Sequence, residues 1–159
     1  MTPSVEIFGE HHNTEERIEI ETKIKKLHSI KPFDFLLSEE VGDAVAVTRR
    51  DKLELIKSKY YSIGPMSYHL GIELEIPVIG IDEWGIKNDL PLAETFAIRE
   101  KRMLSVIEKY SKLGRVAVLI GDAHLRDKDS EQLGKRSIIS TQLKNKKGFV
   151  IHRSKNRED

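Results

Sequence analysis

Residues 116–124, VAVLIGDAH, carry the pattern that decides the fold. Five apolar residues come first, and then a glycine, an aspartate, an alanine and a histidine follow. An apolar run of this length, rich in branched side chains, is typical of a strand that is covered on both faces. Three further runs of strand length precede it, at residues 5–8, 33–37 and 77–81. The four runs together predict a buried, mainly parallel sheet.

Helical signals occupy the segments between these runs. Asn13 and Glu16 have the spacing of a capping box, and apolar residues then recur at spacings of four and three on one face. The region 43–76 is expected to hold a helix over 51–60 and a short helix that ends near Gly71. The clearest helical pattern covers residues 92–113.

The alternation of strands and helices favours right-handed crossovers and a parallel sheet with helices on both faces. We therefore expect an α/β fold with a single domain over residues 1–154, followed by a charged tail over 155–159. Near the end of the domain, two edge strands are expected around residues 137–140 and 149–152.

Composition narrows the range of functions. The chain has 159 residues, of which 38% are hydrophobic and 33% are charged, and its formal net charge is +1. No basic excess points to nucleic acid as a partner. The lack of cysteine excludes a disulfide scaffold, a thiolate zinc site and a cysteine nucleophile. No apolar run approaches the length of a membrane span, and no signal-peptide pattern opens the sequence. We expect a soluble, cytoplasmic protein that does not associate with a membrane.

Acidic residues follow every one of the four runs, and histidines follow two of them. In an open α/β sheet, ligands bind outside the carboxyl ends of the strands, so these segments should converge on one crevice. An acidic residue at such a point often only caps the next helix, but four acidic strand ends together favour a site. The segments are Gly9-Glu10-His11-His12, Ser38-Glu39-Glu40, Asp82-Glu83 and Gly121-Asp122-Ala123-His124.

The long predicted helix carries an arginine within its apolar face. Arg99 lies between Phe96 and Met103 in a series of residues spaced by four and three, which is the spacing of a core-facing stripe. A buried guanidinium without a partner would be costly, so the stripe predicts a carboxylate or an anionic ligand close to Arg99. The alternative is that Arg99 lies at the edge of the stripe and extends to solvent. Arg102 is expected to be solvated.

These motifs, in this order, resemble the superfamily of erythromycin esterase, ChaN, TraB and TIKI. The resemblance rests on two Gly-x-x-His motifs, at 9–12 and 121–124, on a glutamate after the second strand and on Arg99-Glu100-Lys101-Arg102-Met103. It covers residues 5–125. The resemblance implies a hydrolase-like site with its catalytic histidines at His12 and His124. The remaining site residues would be Glu10, Glu39 and Arg99.

Two departures limit what the resemblance implies. The chain is short and lacks the helical insertions of larger members, so their substrates are not carried over. Glu39 and Glu40 are adjacent, and only one of them should point into the crevice because side chains alternate along an extended strand. We prefer Glu39, which directly follows the strand pattern, and keep Glu40 as the alternate.

Three classes of function remain, of which the last is an interaction protein that has kept the fold but lost activity. In the first, the protein hydrolyses a small-molecule or peptide substrate. His12, Glu39 and His124 would then either hold one divalent metal ion, such as Mn, Co or Zn, or activate water directly. Without metal, one histidine would be the general base, a carboxylate would orient it, and Arg99 would stabilise negative charge. In the second, the protein is a haem- or metal-binding module, as ChaN-like relatives suggest.

Overall fold

A six-stranded sheet forms the centre of the computed structural model, which describes residues 2–11, 13–42, 46–47, 66–83 and 89–155. The strand order is β3-β4-β2-β5-β1-β6. Five strands are parallel, and the short β3 pairs antiparallel with β4 at one edge. The strands are β1 (Val5–Glu10), β2 (Phe35–Gly42), β3 (Ala46–Val47), β4 (Val78–Asp82), β5 (Val116–Gly121) and β6 (Phe149–His152).

Four α-helices and one 3₁₀ turn connect these strands within the described ranges. They are α1 (Thr14–Ile30), α2 (Met66–Leu74), α3 (Leu92–Ser111), the 3₁₀ turn (Asp122–Leu125) and α4 (Ile138–Leu143). α1 begins where the capping box predicts, since the Asn13 side chain accepts a hydrogen bond of 3.2 Å from the Glu16 amide. The helix expected over 51–60 lies outside the described residues.

Two hydrophobic clusters cover the two faces of the sheet. Met103 and Ile107 of α3 pack with Val118 on one face, and Ile24 of α1 packs with Leu119 on the other. Successive residues of β5 alternate between the clusters because side chains alternate across a strand. This confirms the expected α/β fold with a mainly parallel sheet and helices on both faces.

Two predicted element boundaries need correction. The second strand runs from Phe35 to Gly42, so that Ser38, Glu39 and Glu40 lie inside it and do not follow it. The strand expected near 137–140 is wrong, because the chain there starts α4 instead. Ser137 caps this helix by accepting a hydrogen bond of 3.1 Å from the Ile139 amide, and a capped N-terminus favours the helix over extended structure.

A bulge interrupts β2 next to its acidic residues. Between Ser38 and Gly42, β2 advances four residues while its partner β4 advances only two, from Gly80 to Asp82. Bulges redirect side chains and are common beside functional sites. Glu39 therefore leaves the regular ladder at the carboxyl end of the sheet.

None of the helices in the described segments is both long enough and apolar enough to cross a bilayer.

Candidate functional site

Glu39 is the centre of a cluster of charged side chains on the α3 face of the sheet. Its Oε1 accepts a hydrogen bond of 2.6 Å from the Gly121 amide at the end of β5. Its Oε2 accepts one of 2.7 Å from Nη2 of Arg99 and lies 3.2 Å from Nε2 of His124. The bulge in β2 and the end of β5 thus place three different donors on one carboxylate.

Arg99 reaches this carboxylate from α3 and also binds the last residue of β4. Its Nε and Nη2 donate to the two carboxylate oxygens of Asp82 at 2.9 and 2.8 Å. The side chain of Arg99 is 21% exposed, and its Nη1 has no hydrogen-bond partner among the described residues. Arg99 is therefore held by two carboxylates and keeps one donor for a further group. Arg102, three residues along, is exposed.

His124 belongs to the 3₁₀ turn and is more deeply buried than Glu39. Carboxylates contact its ring on both sides. Its Nδ1 lies 2.9 Å from Oε2 of Glu100, and its Nε2 faces Glu39. The imidazole is stacked on the ring of Phe96 at 4.5 Å and is only 3% exposed. Glu100, itself buried, is held in turn by Arg126 through hydrogen bonds of 2.5 and 3.1 Å. We call Glu39, Asp82, Arg99, Glu100 and His124 the His124 cluster.

The two carboxylates decide the charge of His124. Burial is the largest influence and opposes the charged form, but hydrogen bonds and charges of Glu100 and Glu39 outweigh it and raise the pKa of His124. For Glu39, burial also opposes ionisation. The hydrogen bond and charge of His124, the Gly121 amide and Arg99 nevertheless lower its pKa from 4.5 to about 2. Both shifts favour the ionised pair, a carboxylate beside an imidazolium.

Glu40 belongs to a different cluster on the opposite face of the sheet. Its Oε2 accepts a hydrogen bond of 3.0 Å from the Ser67 hydroxyl, and its Oε1 accepts from Arg17. The same guanidinium binds Glu10, with 3.2 Å between Nε and Oε2. We call Glu10, Arg17, Glu40 and Ser67 the Arg17 cluster. The alternation along β2 thus sends Glu39 to His124 and Glu40 to Arg17.

The predicted site residues that the structure describes are therefore divided between the His124 cluster and the Arg17 cluster. Arg99 and His124 both contact Glu39, whereas Glu10 is bonded to Arg17 in the other cluster. His12 lies outside the described residues.

The residues of the His124 cluster do not fit a divalent metal ion or haem. Within the described ranges, no three His, Asp or Glu side chains are arranged to hold an ion. Both nitrogens of His124 are bonded to carboxylates, which favours the protonated ring, and a metal ligand must be deprotonated. Arg99 also occupies the Glu39 oxygen that faces His124. The same two bonds and the burial of His124 leave its ring unavailable as an axial haem ligand.

The sequence patterns predict no specific function for three residues of this region. Asp82 is one of the acidic strand ends, and neither Glu100 nor Arg126 is a predicted site residue. The signal for Glu100 was its place beside Arg99 in the helical motif, and Arg126 follows the second Gly-x-x-His motif by two residues. Their pairing joins α3 to the segment after β5, and no local pattern predicts such a contact.

No known family model matches the chain, and no curated protein is significantly similar to it. Among solved structures, the type III effector HopBA1 has a TM-score of 0.57 at 12% identity, over 93% of this chain and 75% of that chain. RRSP, a MARTX toxin effector domain from Vibrio vulnificus CMCP6, has a TM-score of 0.48 at 14% identity. This second match covers 87% of this chain and only 31% of the other. The likeness to HopBA1 bears on the fold alone.

Proposed function

We propose that the protein is a hydrolase that activates water at the His124 cluster. One observation carries the proposal: an imidazole lies between two carboxylates at the carboxyl end of a parallel sheet, with a guanidinium on one of them. Glu100 plays the orienting part that a carboxylate plays toward histidine in general-base sites. The substrate class is a small molecule or a peptide, and the cysteine-free sequence suits the reducing cytoplasm as its location.

The proposed reaction uses the Glu39–His124 pair as the proton acceptor. Glu39 is 19% exposed, so it can hold a water molecule, whereas His124 lies behind it. The water oxygen bonds to the electrophilic centre of the substrate, and its proton passes to the pair. Nη1 of Arg99 donates to the oxygen on which negative charge develops. The bond to the leaving group then breaks, and the leaving group takes the proton back from the pair.

The pair must release the His124 proton before it can accept one from water. Because the carboxylates raise the pKa of His124, turnover should rise with pH through a midpoint above 6.5. A pH profile that falls through this range would contradict the base role of the pair.

The test is a hydrolysis screen with p-nitrophenyl acetate, bis(p-nitrophenyl) phosphate and a fluorogenic peptide. For any substrate that is turned over, His124→Ala and Glu39→Gln should each reduce kcat by about 100-fold or more, the usual size of a general-base contribution. Ser38→Ala is the control, because this buried side chain precedes Glu39 and its hydroxyl accepts a hydrogen bond from the Glu40 amide. It should retain most of the activity, since no serine nucleophile is proposed.

Chelation separates direct water activation from metal chemistry. Incubation with EDTA should leave turnover unchanged, since the described donors do not fit an ion. Loss of activity in EDTA, with recovery on addition of Mn, Co or Zn, would contradict this version and favour a metal site that includes His12. Full activity in a folded His124→Ala/Glu39→Gln variant would overturn the proposed function itself.

A further inference from the structure

A cavity of about 370 Å³ opens beside the His124 cluster. It lies beyond the carboxyl ends of β1, β5 and β6, because its lining comes from the segments that follow these strands. The charged lining residues are Asp122, Arg126, Lys128, Asp129 and Arg153. Its volume is within the range of small-molecule sites.

The two acidic lining residues already have donors. Asp122, which is buried, accepts hydrogen bonds of 2.9 Å from both Nε and Nη2 of Arg153 and one of 2.8 Å from the Ser154 amide. Asp129 accepts one of 3.0 Å from the Arg136 amide. The charge of Asp122 is therefore paired with Arg153, whereas Asp129 is exposed and binds one backbone amide.

Two of the three cationic lining residues, Lys128 and Arg126, keep a donor that no described residue uses. Lys128 is exposed and forms no ion pair with any described residue. Arg126 is 5% exposed, and its Nε is a buried donor without a hydrogen-bond partner in the described part of the chain. Buried donors are nearly always paired, so an unpaired one requires an explanation. The unused donors around the cavity therefore belong to a lysine and an arginine, which are groups that bind anions.

Arg126 is also fixed in place. Its Nη1 and Nη2 donate to Glu100 and to the carbonyl oxygens of Ala123, Leu133 and Lys135. The segment after β5 therefore wraps around a guanidinium that does not need to be ordered when a ligand binds. Preorganised groups of this kind bind with a smaller entropic cost.

We infer that this cavity is a binding site for the anionic group, carboxylate or phosphate, of a small ligand. Lys128 supplies an exposed positive charge, and Arg126, whose Nη1 and Nη2 bind Glu100, supplies the unpaired Nε donor. Arg126 also connects the cavity to the His124 cluster, because Glu100 accepts from both Arg126 and His124. If this ligand is the substrate of the hydrolase, the substrate is an anionic compound. This last step alone rests on the proposed function.

Titrations of the full chain with inorganic phosphate and, separately, with acetate test the inference, with backbone amide NMR shifts as the readout. Saturable shifts should appear in residues 122–133. Lys128→Gln should weaken binding about three- to fivefold, the size of one exposed ion pair, and Lys128→Glu should weaken it further. Lys101→Gln is the matched control, since Lys101 is exposed on α3 and does not line the cavity.

The comparison of the two anions assigns the ligand chemistry, because the anion that binds more tightly identifies a phosphate or a carboxylate site. Anion binding is measured without turnover, so it can be present even where hydrolysis fails. No saturable shift with either anion, or equal affinities of Lys128→Gln and Lys101→Gln, would overturn the inference. Neither result would bear on the proposed hydrolysis.

Discussion

At the scale of single residues, Glu39 makes stability depend on pH. Its pKa is about 2 in the folded protein and 4.5 when unperturbed, so the folded state favours the ionised form. The resulting stabilisation, about 3 kcal/mol, is complete above pH 4.5 and is lost as pH falls toward 2. In urea denaturation, the free energy of unfolding of the wild type should exceed that of Glu39→Gln most at pH 5–6. This difference should shrink as the pH is lowered. A constant difference between pH 6 and pH 2.5 would contradict the lowered pKa.

Arg99 offers a second test at this scale. It lowers the pKa of Glu39 through its charge, so Arg99→Leu should raise that pKa. Side-chain carbon NMR of Glu39 during an acid titration measures the shift. Arg102→Leu is the control, because Arg102 lies exposed on the same helix. An unchanged Glu39 titration in a folded Arg99→Leu variant would mean that Arg99 has no electrostatic role in the cluster.

At the scale of elements, the close approach of β1 to the 3₁₀ turn depends on Gly9. A Cβ at this position would collide with Oδ1 of Asp122 and lie 3.0 Å from Cδ1 of Leu125. Asp122 is held by Arg153 and Ser154, so it cannot move aside without losing hydrogen bonds. Gly9→Ala should lower the free energy of unfolding by about 1–3 kcal/mol, the usual cost of overpacking.

A double-mutant cycle isolates this collision. In an Asp122→Ala background the nearest contact is absent, so Gly9→Ala should cost clearly less, as measured by urea denaturation. Equal costs in the two backgrounds would place the origin of the effect elsewhere.

The elements also show where sequence reasoning reached its limit. Alternation within β2 predicted that only one of Glu39 and Glu40 faces the crevice, and the structure separates them onto opposite faces. The sequence could not predict the bulge that brings Glu39 to Gly121, because a bulge depends on the register with β4. The resemblance also groups Glu10 with His124, whereas Arg17 from α1 binds Glu10. The sequence pattern does not predict this contact between a helix and a strand end.

At the scale of the whole molecule, the two hydrophobic clusters predict two additive contributions to stability. Met103 and Ile24 are both fully buried, on opposite faces of the sheet. Met103→Ala and Ile24→Ala should each lower the free energy of unfolding by about 2–5 kcal/mol. Since the two sites share no partners, the double variant should show the sum to within about 0.5 kcal/mol. Urea denaturation followed by both fluorescence and circular dichroism checks this; a strongly non-additive sum would contradict two separate clusters.

The fold class followed from local patterns, whereas the assembly of the sheet did not. Runs such as VAVLI identify buried strands, and their alternation with helices indicates parallel pairing. The order in which strands lie side by side depends on contacts between distant parts of the chain. β1 and β5, for example, pair Val5 with Val116. The pairing of Glu100 with Arg126 depends on the same assembled arrangement.

The position of β1 has a consequence for how the protein is made on the ribosome. Of the six strands in the sheet, β1 is synthesised before the others, but its two neighbours are β5 and β6, which are synthesised after the other four. Until residues 116–152 have emerged, β1 lacks both of its neighbours in the sheet, and its backbone donors and acceptors bond to water instead. Completion of the sheet therefore waits for the synthesis of β5 and β6. A nascent chain that stops before β5 exposes strand edges of the kind that drive aggregation, and it is a natural substrate for chaperones.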